Sequence, residues 1–262
     1  MRLIVPPVGV RPPEGGRFRI VSIALITGPT AGIGRHIAME LSARGHELIL
    51  VARDEQRLQS LADELGNATV LPADLSDRDQ LRRVEEAAAG VDWLVNNAGY
   101  GINESFLEDD VEAEQKLLDV LVVAPMRLCH AALPGMVDRG FGRVLNVSSV
   151  AGWVPFGTYS AAKSWVTVFS ESMAGQTPED VHVTALCPGF TRTEFHERAG
   201  MKAEVPGFMW LAAEEVAATG VRDCERGKVL SIPDVKYQAL AGALKLTPGS
   251  IKRRMSAPRG SD

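Results

Sequence analysis

From residue 22 onward the chain alternates short apolar runs with amphipathic stretches of helical length, and that alternation leaves few ways to fold. A short apolar run bounded by turn residues makes a buried strand, and apolar residues at three- and four-residue spacing make a helix that covers it. In series the two give βαβ units, with parallel strands buried on both faces. Strands are expected at Ser22–Thr27, Glu47–Ala52, Ala68–Leu71, Asp92–Asn96, Gly142–Ser148, Val181–Leu186 and Lys228–Ile232. Helices are expected at Gly32–Arg44, Glu55–Leu65, Asp77–Ala89, Val111–Asp138, Thr158–Gly175 and Glu214–Glu225. Pro125 and Pro134 are expected to disturb the longest of these. With no repeat and no linker, the reading is α/β: one doubly wound parallel sheet of about seven strands, forming a catalytic domain over residues 21–246.

The flanks read differently. Residues 1–20 hold Pro6, Pro7, Pro12 and Pro13 with Gly9, Gly15 and Gly16, and lack a sustained apolar core. They are read as a disordered extension and not as a secretory signal. Residues 247–262, with Lys252, Arg253, Arg254 and Arg259, are read as a flexible basic tail. A net charge of −5 argues against a nucleic-acid partner, which calls for a basic face. Cys129, Cys187 and Cys224 show no CxxC spacing, which suits reduced thiols in the cytoplasm. The five histidines are scattered, so no metal site is predicted. No apolar run is read as reaching the roughly 20 residues that span a bilayer.

Candidate functional residues gather at the C-terminal ends of the expected strands, where such sheets bind ligands. After the first strand, Thr27 to Gly34 (Thr-Gly-Pro-Thr-Ala-Gly-Ile-Gly) has glycines spaced G-x-x-x-G-x-G. That spacing permits a tight turn, a close backbone approach and a helix N-terminus aimed at a pyrophosphate. After the second strand stands Arg53, suited to a bidentate grip on a ribose 2′-phosphate, with Asp54 read as the cap of the next helix. The pair therefore favours NADP over NAD. Asp74-Leu75 could border the adenine, and Asn96-Asn97-Ala98-Gly99 is a small-residue loop that lets a cofactor approach the backbone.

Tyr159 and Lys163 share one helix face at (i, i+4). An ammonium beside a phenol favours the phenolate, so Lys163 is expected to lower the Tyr159 pKa towards the range where it can exchange a proton.

Together Thr27–Gly34, Asn96–Gly99, the Ser149/Tyr159/Lys163 set and Pro188-Gly189 resemble, in order and spacing, the short-chain dehydrogenase/reductase family over about residues 22–232. The resemblance implies a Rossmann-like sheet that binds NAD(H) or NADP(H) along Gly28, Thr30, Gly32, Ile33, Gly34, Arg53, Asp74, Leu75, Asn97, Ala98, Gly99, Pro188 and Gly189. It implies that Tyr159 is the catalytic acid/base and that Lys163 holds the nicotinamide ribose. Ser149 would bind the substrate carbonyl, Ser148 being its bland neighbour. Arg53 matches the NADP-preferring pattern, and Thr193 matches a contact to the nicotinamide amide. The helices around 111–138 and 158–175 would build a homodimer or homotetramer. Two departures stand out. Ser149 and Tyr159 are only ten positions apart, and Leu121 replaces an asparagine that in the family anchors a water linking the lysine to solvent. Leucine can neither donate nor accept a hydrogen bond.

Specificity is expected from Glu194 to Leu211, where Phe195, Met201, Phe208, Met209, Trp210 and Leu211 suggest an apolar lid, together with Tyr100, Trp153 and Phe156. The leading reading is an NADPH-dependent carbonyl or ketoacyl-type reductase acting on a small apolar ketone or its alcohol. Alternatives are an NAD-dependent alcohol dehydrogenase and, because of Leu121, a catalytically weak NADP-binding sensor or scaffold.

Overall fold

The computed structural model describes residues 22–102, 106–195 and 205–251. Its main sheet is seven-stranded and parallel throughout. The strands are β1 (Ile23–Thr27), β2 (Glu47–Ala52), β3 (Ala68–Pro72), β4 (Trp93–Asn96), β5 (Gly142–Val147), β6 (Val181–Leu186) and β9 (Leu230–Ser231), in the order β3-β2-β1-β4-β5-β6-β9. The chain winds outward from β1 to β3 and then returns to place β4 against the other side of β1. That reversal opens a crevice beyond the carboxyl ends of β1 and β4.

Alternation along the strands sorts side chains to two faces. Ile26 and Leu50 enter one apolar layer with Ile37 and Leu41 of α1 (Gly32–Ala43), Leu58 of α2 (Glu55–Leu65), Val216 of α7 (Ala213–Glu225) and Tyr237 of α8 (Val235–Leu246). Their neighbours Leu25 and Val51 enter the other with Leu81 of α3 (Arg78–Ala88) and Leu128 and Met136 of α5 (Ala124–Arg139). Phe169 and Met173 of α6 (Gly157–Ala174) pack on that second layer. Strands buried on both sides explain why they read as continuous apolar runs.

Four helices begin on an aspartate that accepts from backbone N–H groups of the first turn: Asp54 for α2, Asp77 for α3, Asp110 for α4 (Val111–Leu118) and Asp234 for α8. Asp54 is thus the cap expected of it. No side chain caps α1.

Departures from the expected elements have local causes. The long helix is not one piece: Asp119–Val123 between α4 and α5 forms a wider π turn, with the Ala124 N–H bonding to the Asp119 carbonyl. Pro125 follows directly, and its ring cannot accept a normal turn against the carbonyl four residues earlier. Pro134 lies inside α5 without ending it. The run Val111–Arg139 is, by length and composition, apolar enough to cross a membrane, contrary to the sequence expectation; 44% of its most apolar stretch is buried. It packs on α3, β4, β5 and α6, the role of a core helix. A small second sheet, β7 (Thr191–Arg192) with β8 (Leu211–Ala212), and helix α8 were not foreseen. The expectation for residues 1–20 lies outside the described residues, as does most of the 247–262 tail, although Pro248 opens one further helical turn.

All three thiols are buried and unbonded. Burial pushes Cys129 and Cys224 up to about 12 and Cys187 up to about 11.

Candidate active site

One wall of the crevice is built where β1 and β4 end. The Thr27 hydroxyl accepts from the N–H groups of Asn97 and Ala98, both at 3.0 Å. Asn97 Nδ2 donates back to the carbonyls of Thr27 (3.1 Å) and Gly28 (2.8 Å). This latch consumes the space a side chain would need. A Cβ on Gly34 would stand 2.2 Å from Asn97 Nδ2 and 2.4 Å from the Gly28 oxygen. Gly28, at φ +66°, would meet the Ala98 Cα at 2.8 Å. The glycine turn is therefore required by packing as well as by any ligand. Ile33 is only partly buried and Thr30 lines the adjoining crevice between α1 and α2. Because no side-chain cap bonds the first N–H groups of α1 among the described residues, its positive end is available to an anion there.

On the α2 side, Arg53 is exposed and makes no ion pair among the described residues. Its charge still reaches Asp74 and Tyr100 across the mouth of the crevice. Asp74 accepts from the Ser76 N–H (2.9 Å) and hydroxyl (2.7 Å). Partial burial works against its ionisation, but those bonds with Arg53 and Lys116 hold it below the usual carboxylate range. Leu75 turns into the core at 7% exposure, so a nucleotide could meet only its backbone.

At the end of β5 the structure separates the two serines sharply. Ser148 is buried, its hydroxyl 2.7 Å from both the Lys163 carbonyl and Thr167 Oγ1, so it is committed to the fold. Ser149 caps the short 3-10 turn Val150–Trp153, accepting from the Ala151 N–H at 3.1 Å, and hydrogen-bonds Tyr159. Lys163 Nζ donates to the Val147 carbonyl at 2.7 Å and lies 5.8 Å from the Tyr159 ring centroid. Ser149, Tyr159 and Lys163 are thus brought together as expected from their spacing.

The expected pKa effect is reversed. Burial pushes the Tyr159 phenol up to about 12, against the hydrogen bond from Ser149, and pulls Lys163 down to about 8. The ammonium is aimed at the Val147 carbonyl and loses its own hydration, so desolvation of both groups outweighs their attraction.

Leu121 occupies the centre of the π turn at 1% exposure. A Cβ on Gly99 would lie 2.8 Å from Leu121 Cδ2 and 3.9 Å from Lys163 Nζ. Leucine here packs with Leu117, Ala162, Tyr100 and Tyr159, an apolar patch beside the lysine.

The opposite wall hangs on Tyr237, which sequence reasoning missed. This fully buried side chain of α8 accepts from the Phe190 N–H (3.0 Å) and donates to the Met209 carbonyl (2.8 Å). A Cβ on Gly189 would fall within 1.9 Å of its ring. Pro188 is buried, and its carbonyl accepts from the Val150 N–H. The lid expectation divides accordingly. Phe195 reaches the site, its ring 5.7 Å from that of Tyr159, while Leu211 is a buried residue of β8 and Met209 packs on the core. Trp210 lies against Phe190, Phe208 and Phe156 are exposed, and Met201 lies outside the described residues. Thr193 covers Gly32, its Cγ2 2.8 Å from where a Cβ would stand.

The pattern of the short chain dehydrogenase family matches residues 22–204. The 3-oxoacyl acyl-carrier-protein reductase FabG of Escherichia coli (strain K12) is 32% identical over 210 residues, covering 74% of this chain and 86% of that protein. The NADP-dependent 3-hydroxy acid dehydrogenase YdfG of Salmonella typhi is 37% identical over 175 residues, covering 63% and 68%. Among solved structures, a short-chain dehydrogenase from Sphingobium yanoikuyae in complex with NADPH has a TM-score of 0.79 at 31% identity, covering 92% of this chain and 98% of that one. Sheet order, glycine turn and sequence agree, and the chain belongs to the short-chain dehydrogenase family of nucleotide-dependent oxidoreductases.

Proposed function

We propose that this enzyme is an NADPH-dependent carbonyl reductase that interconverts an apolar ketone and a secondary alcohol. The observation that carries the reading is the convergence of Ser149, Tyr159 and Lys163 at the end of β5, beside the crevice that the glycine turn and the N-terminus of α1 border. The nicotinamide, when bound, supplies or accepts the hydride. Tyr159 gives its proton to the carbonyl oxygen as that oxygen gains charge, and takes it back in the reverse direction. Ser149 holds the same oxygen, and Lys163 lends positive charge that stabilises the phenolate left behind. Phe195, Tyr100 and the patch around Leu121 offer apolar surface to the rest of the substrate. Ketoacyl chains fit that description, in keeping with the name of the Escherichia coli relative.

Arg53 supports NADP over NAD, because an exposed guanidinium at the end of β2, with no ion-pair partner among the described residues, suits a 2′-phosphate. Arg53→Ala should weaken NADPH binding by roughly 1.5–3 kcal/mol and leave NADH unchanged. Equal affinities of the unaltered enzyme for both nucleotides would remove the NADP assignment. The outer faces of α4, α5 and α6 expose Val111, Met126 and Val168, which suits a homodimer or homotetramer.

A ketone panel with NADPH oxidation followed by absorbance tests cofactor, direction and substrate class at once. Tyr159→Phe should keep nucleotide affinity and lose about 10²–10⁴-fold in turnover. A variant retaining more than about a tenth of the rate would show that another group supplies the proton. Leu121 favours a second reading, a slow enzyme that serves mainly to bind nucleotide, since its side chain carries no proton beside Lys163. Turnover with no ketone, alongside tight NADPH binding, would select it.

A further inference from the structure

Three consecutive residues after β7 touch three separate parts of the crevice. Thr193 lies on Gly32 of the glycine turn. Glu194 pairs with Arg57 of α2, its oxygens 3.3 and 3.4 Å from Arg57 Nη2 and 3.5 Å from Nη1. Phe195 lays its ring against Tyr159. The segment starts from the β6 side of the sheet and ends bonded to α2 on the other, so it crosses the mouth of the groove in which a dinucleotide would lie.

We propose that Arg57 and Glu194 are a positioning pair that straps residues 193–195 over the bound cofactor, limiting its release and setting Phe195 over Tyr159. The inference rests on the cofactor reading above. Three features suit a strap that opens and closes during turnover. Both side chains are 45% exposed, so the pair is weak and sensitive to salt. Its contacts are longer than the 2.6 Å bond between Arg35 and Glu64, which joins α1 to α2 without crossing the mouth. Arg57 also borders a crevice of about 330 Å³ shared with Thr30, Arg35, Ser60, Leu61 and Glu64, which gives its guanidinium room to swing aside. Thr193 and Phe195 are each neighbours of Glu194, so one ion pair fixes what stands over Gly32 and what stands over the tyrosine.

The test is cofactor release, followed by stopped-flow fluorescence for NADPH and NADH at low and high salt. Glu194→Gln and Arg57→Gln should each release both nucleotides about two- to five-fold faster at low salt, the range for an exposed pair. Wild type should reach the same rates at high salt, and the charge-exchanged R57E/E194R should recover slow release. The substrate KM should rise in the single variants with kcat little changed. Release unaffected by Glu194→Gln overturns the strap. So does an effect confined to NADPH, which would make Arg57 a 2′-phosphate ligand instead. A wild type that binds neither nucleotide overturns the cofactor reading itself, whereas normal binding with unchanged release overturns only the strap.

Discussion

At Gly34 and at Gly189 the room for a Cβ is filled by a side chain from a distant part of the chain, Asn97 in one case and Tyr237 in the other. Both contacts hold a wall of the same groove. They differ in what surrounds them. Asn97 belongs to adjacent strand ends tied by four short hydrogen bonds within the β1–β4 junction. Tyr237 comes from α8, and its hydroxyl bridges Phe190 to Met209. The glycine-turn wall is thus tied by several bonds between neighbouring strand ends, whereas the opposite wall combines the β7–β8 pairing with a phenol reaching in from a distant helix. A family of enzymes that keeps one chemistry and varies its substrate would profit from that division, since the second wall can be rebuilt without disturbing the first.

The largest break in this comparison should come from Tyr237→Ala. Removing a fully buried ring should cost about 3–5 kcal/mol of stability. The milder Tyr237→Phe should cost about 1–3 kcal/mol by removing the hydroxyl's bonds to Phe190 and Met209. In Tyr237→Phe, substrate KM should rise while nucleotide affinity holds; denaturant melts with cofactor titration distinguish these. A matching loss of nucleotide affinity would show that the two walls are not independent.

Gly34→Ala attacks the other wall. Its Cβ has nowhere to go, so overpacking should cost about 1–3 kcal/mol. Nucleotide affinity should fall at least about tenfold as Asn97 is pushed off its carbonyls, a difference of about 1.4 kcal/mol in binding. Unchanged affinity by fluorescence titration would mean that the latch can shift without cost.

Leu121→Asn probes the floor between the walls. The amide would enter a patch of apolar side chains, and an unpaired buried amide costs about 1–3 kcal/mol. We expect a lower melting temperature and unchanged or lower single-turnover rate. A clear rate gain would show that the missing polar group limits proton supply.

A further effect concerns pH. Lys163 is pulled from 10.5 to about 8, so between those values the unfolded chain binds more protons than the folded one. Stability contributed by this group therefore rises with pH across that window, and the cost of burying its charge is fully present below about 8. The melting temperature of Lys163→Met relative to wild type should be most favourable below pH 8 and should shrink towards pH 10.5. A difference independent of pH would show that Lys163 is not the group whose charge is buried.

How much of this was legible beforehand follows the same division. The strands β1, β2 and β4 could be read because both faces of the sheet are covered there, which writes them as nearly unbroken apolar runs. Asp54 and the Tyr159–Lys163 pair could be read because their partners lie within a few residues, where spacing fixes geometry, and the glycine turn because its own glycine spacing marks it although its partners are distant. Tyr237 could not: nothing near residue 237 marks its ring as the floor beneath Gly189, some fifty residues earlier. The π turn was not foreseen as such: Pro125 announces a disturbance, and the bonding pattern relieves it one turn upstream. The direction of the Tyr159 shift was misread because pairing is visible in spacing, whereas burial belongs to the folded whole.

The three buried thiols turn the molecule into its own gauge of breathing motions. A thiol-specific reagent can reach Cys129, Cys187 or Cys224 only when the surrounding structure opens, so each labelling rate reports the free energy of one local opening. Cys187 stands at the end of β6 in contact with Thr167, directly behind Ser148 and Lys163. Cys224 lies in α7 against the Val144 carbonyl, and Cys129 sits in α5 beside Asn96 and Asn146. One unmodified protein thereby carries three clocks, one beneath the reacting groups and two in the scaffold. Comparing their rates with and without nucleotide would map where binding stiffens the fold, with no residue replaced.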